Sequence, residues 1–417
     1  QSGFGRTGTV DWQTGSIKTT TFTAVDGQGF FADTSSGAIT MNLPAGTAGS
    51  IVSVVDYTNT FQNNNLTVSP NGSQKIGGVA ADFVADTEGQ SLTWIYVDDT
   101  EGWKNIQDST SNAIGSAFIS ATGGTVTTCG NFKIHKFTGP GTFCVATAGA
   151  TASENTVSYV VVAGGGGGGT GHGAGGGAGG FREYKGPLDT YTASPLNGNP
   201  GGTAVTVTAT GFPITVGAGG TAARGPTAPS PNQASTGGSP SVFSTVTSTG
   251  GGNGASQPSS IGLNGGPGGS GGGSGSDGGT SGSAGTGNTP SVSPPQGNNG
   301  GGGGGGATAV GTTVPASASP PGSPLTAGVG GAGATSSING TPTARAGGGG
   351  GGSTSHPGPG GAGGGGAGTI NLPTGGNPTA TSGTVNTGGG GGGGGGSGAQ
   401  IGGDGGSGIV IIRYKFQ

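Results

Sequence analysis

The chain has 417 residues, 110 of them glycine, with 12 basic and 16 acidic side chains and a net charge of −4. A mildly acidic chain without a basic cluster is not built to bind nucleic acid. No stretch approaches the ~20 apolar residues that span a bilayer, so membrane insertion is not expected, and the opening Gln1-Ser2-Gly3-Phe4-Gly5 does not read as a secretory leader.

Residues 1–108 read as a small β domain. Short runs rich in β-branched and aromatic residues (19–25, 29–32, 38–43, 50–57, 65–69 and 92–97) are cut by Gly, Asn and Asp. Alternation is clean in Ala38-Ile39-Thr40-Met41-Asn42-Leu43 and in Leu92-Thr93-Trp94-Ile95-Tyr96-Val97, and Trp94 and Trp103 are expected in the core. Short antiparallel strands in such a series imply a sandwich or a small barrel. No segment has a helical period, so the fold class expected is all-β with essentially no α-helix.

Residues 109–124 form a polar connector with an apolar patch at Phe118-Ile119. Strands resume over 125–163. Here Asn131–Phe137 is expected to turn at Thr138-Gly139-Pro140-Gly141 into Thr142–Val145 as a hairpin, flanked by Cys129 and Cys144. Cysteines on paired strands can reach disulfide distance, and an extracellular setting permits the bond; the alternative is two small buried residues. Two cysteines and three scattered histidines give no metal-ligand spacing, so no metal is expected.

The composition changes near residue 163: only 21 of the glycines precede it, together with 18 of the 28 charged side chains and all three tryptophans. The later part contains the all-glycine runs 164–169, 300–306, 347–352, 363–366 and 388–396. Neither an α-helix nor an ordinary sheet tolerates such runs. Two readings compete. One is a flexible spacer. The other is the extended three-fold helix whose neighbours pack too closely to admit a side chain, the polyglycine II form. Ile401, Asp404, Ser407 and Val410 recur every third residue, which suits one edge of such a helix; Ala174 and Ala178, four apart, do not.

The apolar runs 157–162 and 409–412 read as buried strands of one sheet, making the glycine region an insertion with joined ends. The organisation expected is therefore a β domain over 1–108, a connector over 109–124, and a β-sandwich base from 125–163 with 203–216, 242–247 and 408–417. A polyglycine-helix bundle over 164–407 carries extended loops at 181–200, 221–240, 280–299, 307–327, 334–346 and 369–387. Nine residues at ~3.1 Å each reach about 28 Å, so distal loops would stand clear of the base.

Catalytic constellations are missing from the sequence, and an enzyme is not expected. The Gly-x-Gly-x-x-Gly matches lie between no strand and helix, and no Gly-Lys-Ser/Thr follows a glycine loop. Asp98, Asp99 and Glu101 read as a solvated turn rather than an acid/base pair. His135, His172 and His356 have no partner at a recognisable spacing. No cofactor is expected.

Several segments carry a family resemblance. They are Cys129–Phe143, the passage Tyr159-Val-Val-Val-Ala into Gly164–Gly169, Gly179-Gly-Phe-Arg-Glu183, the ending Gly408-Ile-Val-Ile-Ile-Arg-Tyr414, and Gly29–Pro44 with Gly102-Trp-Lys104. Together these resemble glycine-rich tail-fibre or appendage proteins of marine phages, notably cyanophages. The architecture is similar to the tip adhesins of T-even-like phages, which hold receptor-binding loops on polyglycine helices. This chain departs from them in its leading β domain and its longer, Pro-rich loops. The resemblance implies a virion appendage working outside the cell, with a host-surface receptor (a glycan or an outer-membrane protein) and other tail or fibre proteins as partners. Viral fibres are commonly trimers, and a homotrimer through residues 1–124 is expected.

Receptor-binding candidates are Phe181, Arg182, Tyr184, Lys185 and Tyr191 in the first loop, with Arg224, Arg345 and His356 further on. Tyr and Arg dominate binding hot spots. For the first loop, packing at the base of the bundle is the competing reading. Alternatives for the whole chain are a purely structural fibre or decoration subunit, and, more remotely, an ice-binding protein.

Overall fold

The computed structural model describes residues 10–109, 118–149, 151–225, 233–256, 264–277, 280–312, 327–370, 379–396 and 401–416. The described residues are all-β and contain no α-helix, and the chain divides into two compact units, Gln1–Gly115 and Ser116–Gln417.

In the first unit the strands are mostly parallel, which corrects the antiparallel expectation. Asp11–Trp12, Gln28–Ala32 and Ile51–Asp56 stack in parallel in one sheet. Phe22–Thr23, Ile39–Asn42 and Leu66–Ser69 do the same in a second. The chain alternates between the two sheets, so each circuit lays a strand beside the one two elements earlier. Antiparallel strands close the coil: Phe83–Ala85 on the second sheet, then Ser91–Asp98 and Gly102–Ser109 on the first. Between the sheets lie Phe30, Met41, Val52, Val54, Leu66, Val68, Trp94 and Trp103. Alternation alone cannot separate parallel from antiparallel pairing, because both have period two. The last strand escaped the sequence reading because beyond Gly102 and Trp103 its residues are largely exposed.

Asp56 ends its strand fully buried, and its carboxylate accepts the amides of Thr60, Phe61 and Gly89, each at 3.1 Å. One side chain thus ties two turns to the coil. The acidic turn is equally committed. Asp98 accepts the amides of Thr100 and Glu101, Asp99 accepts the Tyr96 hydroxyl, and Glu101 pairs with Lys104 at 2.8 Å.

The second unit opens with two antiparallel sheets. One runs in the order Ser120–Thr122, Gly141–Thr147, Gly211–Thr215, Ser241–Phe243, Val246–Ser248. The other runs Thr125–Cys129, Phe132–Phe137, Ile409–Lys415, Thr156–Val162, Phe181–Tyr184, with Val205–Thr206 also pairing on Thr156–Val162. Phe143, Tyr159, Val161, Phe243, Val410 and Ile412 fill the space between the sheets. The alternate residues Val160, Val162, Ile409 and Ile411 pack on the opposite face with Phe181, Ile338, Ala307 and Ala346. That sheet is buried on both faces, which is why its central strands read as unbroken apolar runs.

The pairing corrects the cysteine expectation. Phe132–Phe137 and Gly141–Thr147 belong to different sheets, so the turn between them crosses the sandwich and makes no hairpin. Cys129 and Cys144 are free thiols, the first beside Gly340 and the second exposed.

The glycine runs form the bundle. Gly388–Gly394 shows the rule most fully. Gly390 and Gly393 donate to the carbonyls of Gly347 and Gly350, Gly391 and Gly394 to those of Gly166 and Gly169, and Gly392 to that of Thr381. In return its carbonyls accept from Gly173, Gly176 and Gly179, from Gly403 and Gly406, and from Gly366 and Thr369. Six neighbouring segments surround one run, five of them met at every third residue, as a three-fold helix with no internal hydrogen bonds requires. Gly164–Gly169 is enclosed in the same way, by segments around 174–177, 220–223, 236–239, 251–254, 391–394 and 403–406.

Close approach explains the composition. A Cβ on Gly390 would lie 1.9 Å from the Gly176 carbonyl oxygen, on Gly391 1.9 Å from that of Gly403, and on Gly392 2.0 Å from that of Ala367. The Cα hydrogens instead face these carbonyls, where they add weak C–H···O attraction. Ala178 is accommodated because its side chain packs in the apolar cluster of the base, while its backbone still bonds to Gly305 and Ser270 of neighbouring glycine segments.

Candidate functional site

Strand register decides what the segment after Gly180 does. Tyr159 to Val162 pair with Tyr184 to Phe181, so alternate residues take opposite faces. Phe181 packs with the cluster that includes Ile338 and Ala346, whereas Tyr184 packs inside the sandwich and stacks on Tyr159 with ring centroids 6.0 Å apart. Glu183 shares the face of Phe181, and its carboxylate accepts from the Tyr191 hydroxyl (3.1 Å), the Ser336 hydroxyl (2.5 Å) and the Ser194 amide (2.8 Å). Burial, reinforced by the charge of Glu183, drives the Tyr191 phenol far above its usual range. Burial also lowers the Arg345 guanidinium below its free value, against the opposing pull of Glu183.

A second buried group lies on the neighbouring strand. Arg413 Nε donates to Asp189 Oδ1 at 2.9 Å and Oδ2 at 3.1 Å, with both side chains about 95% buried (5% and 4% exposed). Ser158 donates to Asp189 at 2.7 Å and accepts from the Gly186 amide at 2.9 Å. The guanidinium also covers the Phe132 ring at 4.4 Å and reaches the Ile338 carbonyl. These groups lock the 185–200 segment and the 334–345 hairpin onto the sheet. Each carboxylate is saturated, so neither group is arranged for proton transfer. Asp189, Ser158 and Arg413 were given no role from the sequence, and Glu183 entered only as a member of the 181–185 loop. One signal was present: an arginine inside the apolar strand Ile409–Lys415 requires a buried partner.

The eight recognition candidates separate into two places. Phe181, Arg182, Tyr184, Tyr191 and Arg345 are all buried at the base, and Lys185 is half-buried with its ammonium 5.8 Å from the Tyr191 ring. The expected first loop is therefore a strand, Phe181–Tyr184, followed by a packed segment. It cannot offer Phe181, Tyr184 or Tyr191 to a receptor.

Arg224 and His356 lie at the other end of the bundle. Arg224 is half-buried and bridged through its backbone to Gln233 and Ile401; His356 is exposed, and its carbonyl accepts the Ala327 amide. The 170–172 turn, with His172 at φ 57°, joins two helices at that end. Topology thus assigns 181–200, 289–296, 334–345 and 385–387 to the base and 170–172 and 353–357 to the far end. Parts of the expected loops, 226–232, 313–326 and 371–378, lie outside the described residues.

The glycine-rich domain family matches residues 137–415, from the end of one base strand through the bundle to the end of the last strand. The chain belongs to the glycine-rich domain family. No curated protein matches it. In this glycine-rich domain the matched span takes in both halves of the joined sheet, so its glycine bundle and its sandwich base are parts of one unit.

Proposed function

We propose that this glycine-rich protein is a non-enzymatic virion appendage that presents bundle-end turns to a host-surface receptor, as the resemblance to phage tail fibres implies. The observation that carries the reading is the six-sided hydrogen bonding of Gly388–Gly394. A shaft bonded through its backbone on every side is rigid without a large apolar core, and a rigid shaft whose turns gather at one end is suited to recognition. Arg224 and His356, at the end away from the sandwich, are the residues of choice. Several weak contacts would be amplified if copies engage together. A homotrimer through the first 124 residues belongs to the same proposal and is supported by the exposed Trp12, Tyr57, Val84 and Ile106.

The test is binding of the labelled full chain to intact bacterial cells, with the Arg224→Ala/His356→Ala double variant alongside. The expected result is saturable binding that the double variant weakens about tenfold at unchanged melting temperature. Full binding by the double variant would remove these residues. Absence of binding to any host of the corresponding phages would leave a structural fibre subunit as the better description.

A further inference from the structure

Arg182 stands apart from the other buried charges. It is 92% buried (8% exposed), yet among the described residues its side chain makes no ion pair and no hydrogen bond. The nearest carboxylate in sequence, Glu183, points to the other face of the strand and is already held by Tyr191, Ser194 and Ser336. Asp189 is held by Arg413. With its stem buried, the guanidinium keeps its nitrogens open to solvent on the one side left free, where an anion can pair with them.

What Arg182 lines is a cleft of 350 Å³ at the base end of the bundle. One wall is the hairpin Ser241–Ser248, which brings Thr245, Val246 and Thr247. The other is the 289–296 turn, which brings Pro290, Val292 and Ser293. Gln296 at the back is saturated: it bonds both the amide and the hydroxyl of Thr249 and donates to the Pro290 carbonyl, which fixes the two walls against each other. The Tyr159 hydroxyl is likewise closed by the Thr203 carbonyl. By contrast, the hydroxyls of Thr245, Thr247 and Ser293 are exposed on the rim and, among the described residues, make no side-chain hydrogen bond.

We propose that this cleft binds an acidic sugar, with its anionic group on Arg182 and its ring hydroxyls on Thr245, Thr247 and Ser293. The guanidinium fork matches a carboxylate or a sulfate in bidentate geometry. The rim hydroxyls can both donate and accept, as sugar hydroxyls require. Pro290 and Val292 offer an apolar wall for a ring face, and the volume lies within the range of small-ligand sites. The inference goes beyond the far-end reading and does not depend on it, since the cleft sits at the base; cell binding and sugar binding can each fail without the other.

Calorimetric titration of the full chain with glucuronic acid, glucose 6-sulfate and neutral glucose tests it. Saturable binding is expected for at least one charged sugar and not for glucose, and the two charged arms distinguish carboxylate from sulfate. Arg182→Gln should weaken binding roughly 30-fold or more, and Arg182→Lys, which keeps the charge but loses the fork, by less. Thr247→Val, on the exposed rim, should weaken it a few-fold without changing the melting temperature. Should Arg182→Gln fail to fold, the rim variants Thr247→Val and Ser293→Ala decide. The proposal is overturned if neither acidic sugar binds, if glucose binds equally well, or if Arg182→Gln, or the rim variants in its place, bind as the parent does.

Discussion

Val162 and Ile409 are cross-strand partners in the sheet buried on both faces. Everything from residue 163 to 408 is therefore an excursion that leaves from one central strand and returns on its neighbour. The bundle is anchored twice in the same sheet, and the Gly408 amide continues the tie by donating to the Gly217 carbonyl. Sandwich and bundle should unfold together.

Gly392→Val should destabilise the second unit by more than about 3 kcal/mol, because its Cβ alone lands 2.0 Å from the Ala367 carbonyl oxygen and no flexible side chain can give way. Gly237→Ala, on an exposed edge where the nearest atom is 3.1 Å away, should cost well under half as much. Ser407 sits on the outer edge its spacing implied, yet its hydroxyl accepts the Asn386 backbone amide at 2.9 Å and caps the turn before the longest run. Ser407→Ala should cost about 1 kcal/mol. Thermal unfolding orders the three variants, and rapid amide exchange throughout 388–396 would contradict the bundle.

Arg413→Met should cost about 3–5 kcal/mol, since it strands the Asp189 carboxylate in the interior. Asp189→Leu combined with Arg413→Met should cost less than the sum of the singles, because neither charge is then left unpaired. Denaturant titration of the four chains gives the coupling directly. Additive losses would show that the pair does not act as a unit.

His135 makes the second unit sensitive to mild acid. The imidazole is buried, with Nδ1 donating to the Gly123 carbonyl at 2.7 Å and Nε2 facing the Tyr414 hydroxyl at 3.2 Å. Burial holds its pKa below the ordinary 6.5, only partly offset by the Gly123 bond. The unfolded chain then takes up the proton first. The His135 contribution is complete above about pH 6.5 and is lost as pH falls from there toward the folded value, at up to ~1.4 kcal/mol per unit. His135→Phe should remove this part of the pH dependence, read as the difference between the two stability curves from pH 7 to 5.

Both thiols should titrate with a thiol reagent once the chain is unfolded. In the native protein the exposed Cys144 should react first and the half-buried Cys129 more slowly. An intact mass that changes on reduction would overturn the pairing described for the two sheets.

Asp56→Ala should destabilise the first unit by about 3 kcal/mol or more, because three amides lose one charged acceptor together. Unchanged melting of that unit would mean that water replaces the carboxylate.

The sequence by itself determined the all-β class, the glycine helices and the joined strands 157–162 and 409–412. These rest on local rules: period-two alternation, the absence of helical period, and glycine runs that only a close-packed three-fold helix can use. Register and sheet assignment were decided by the tertiary structure. The parallel coil of the first unit has the same alternation as an antiparallel sandwich. The separation of Cys129 from Cys144 depends on which sheet each strand joins. The segment at 181–185 has the composition of a recognition loop, and it is buried because Val161 and Val162 pair with it and Glu183 finds Tyr191 and Ser194 nearby and Ser336 across 153 residues of chain. Polar partners that distant leave no spacing to read, since only the folded backbone brings them within hydrogen-bond reach.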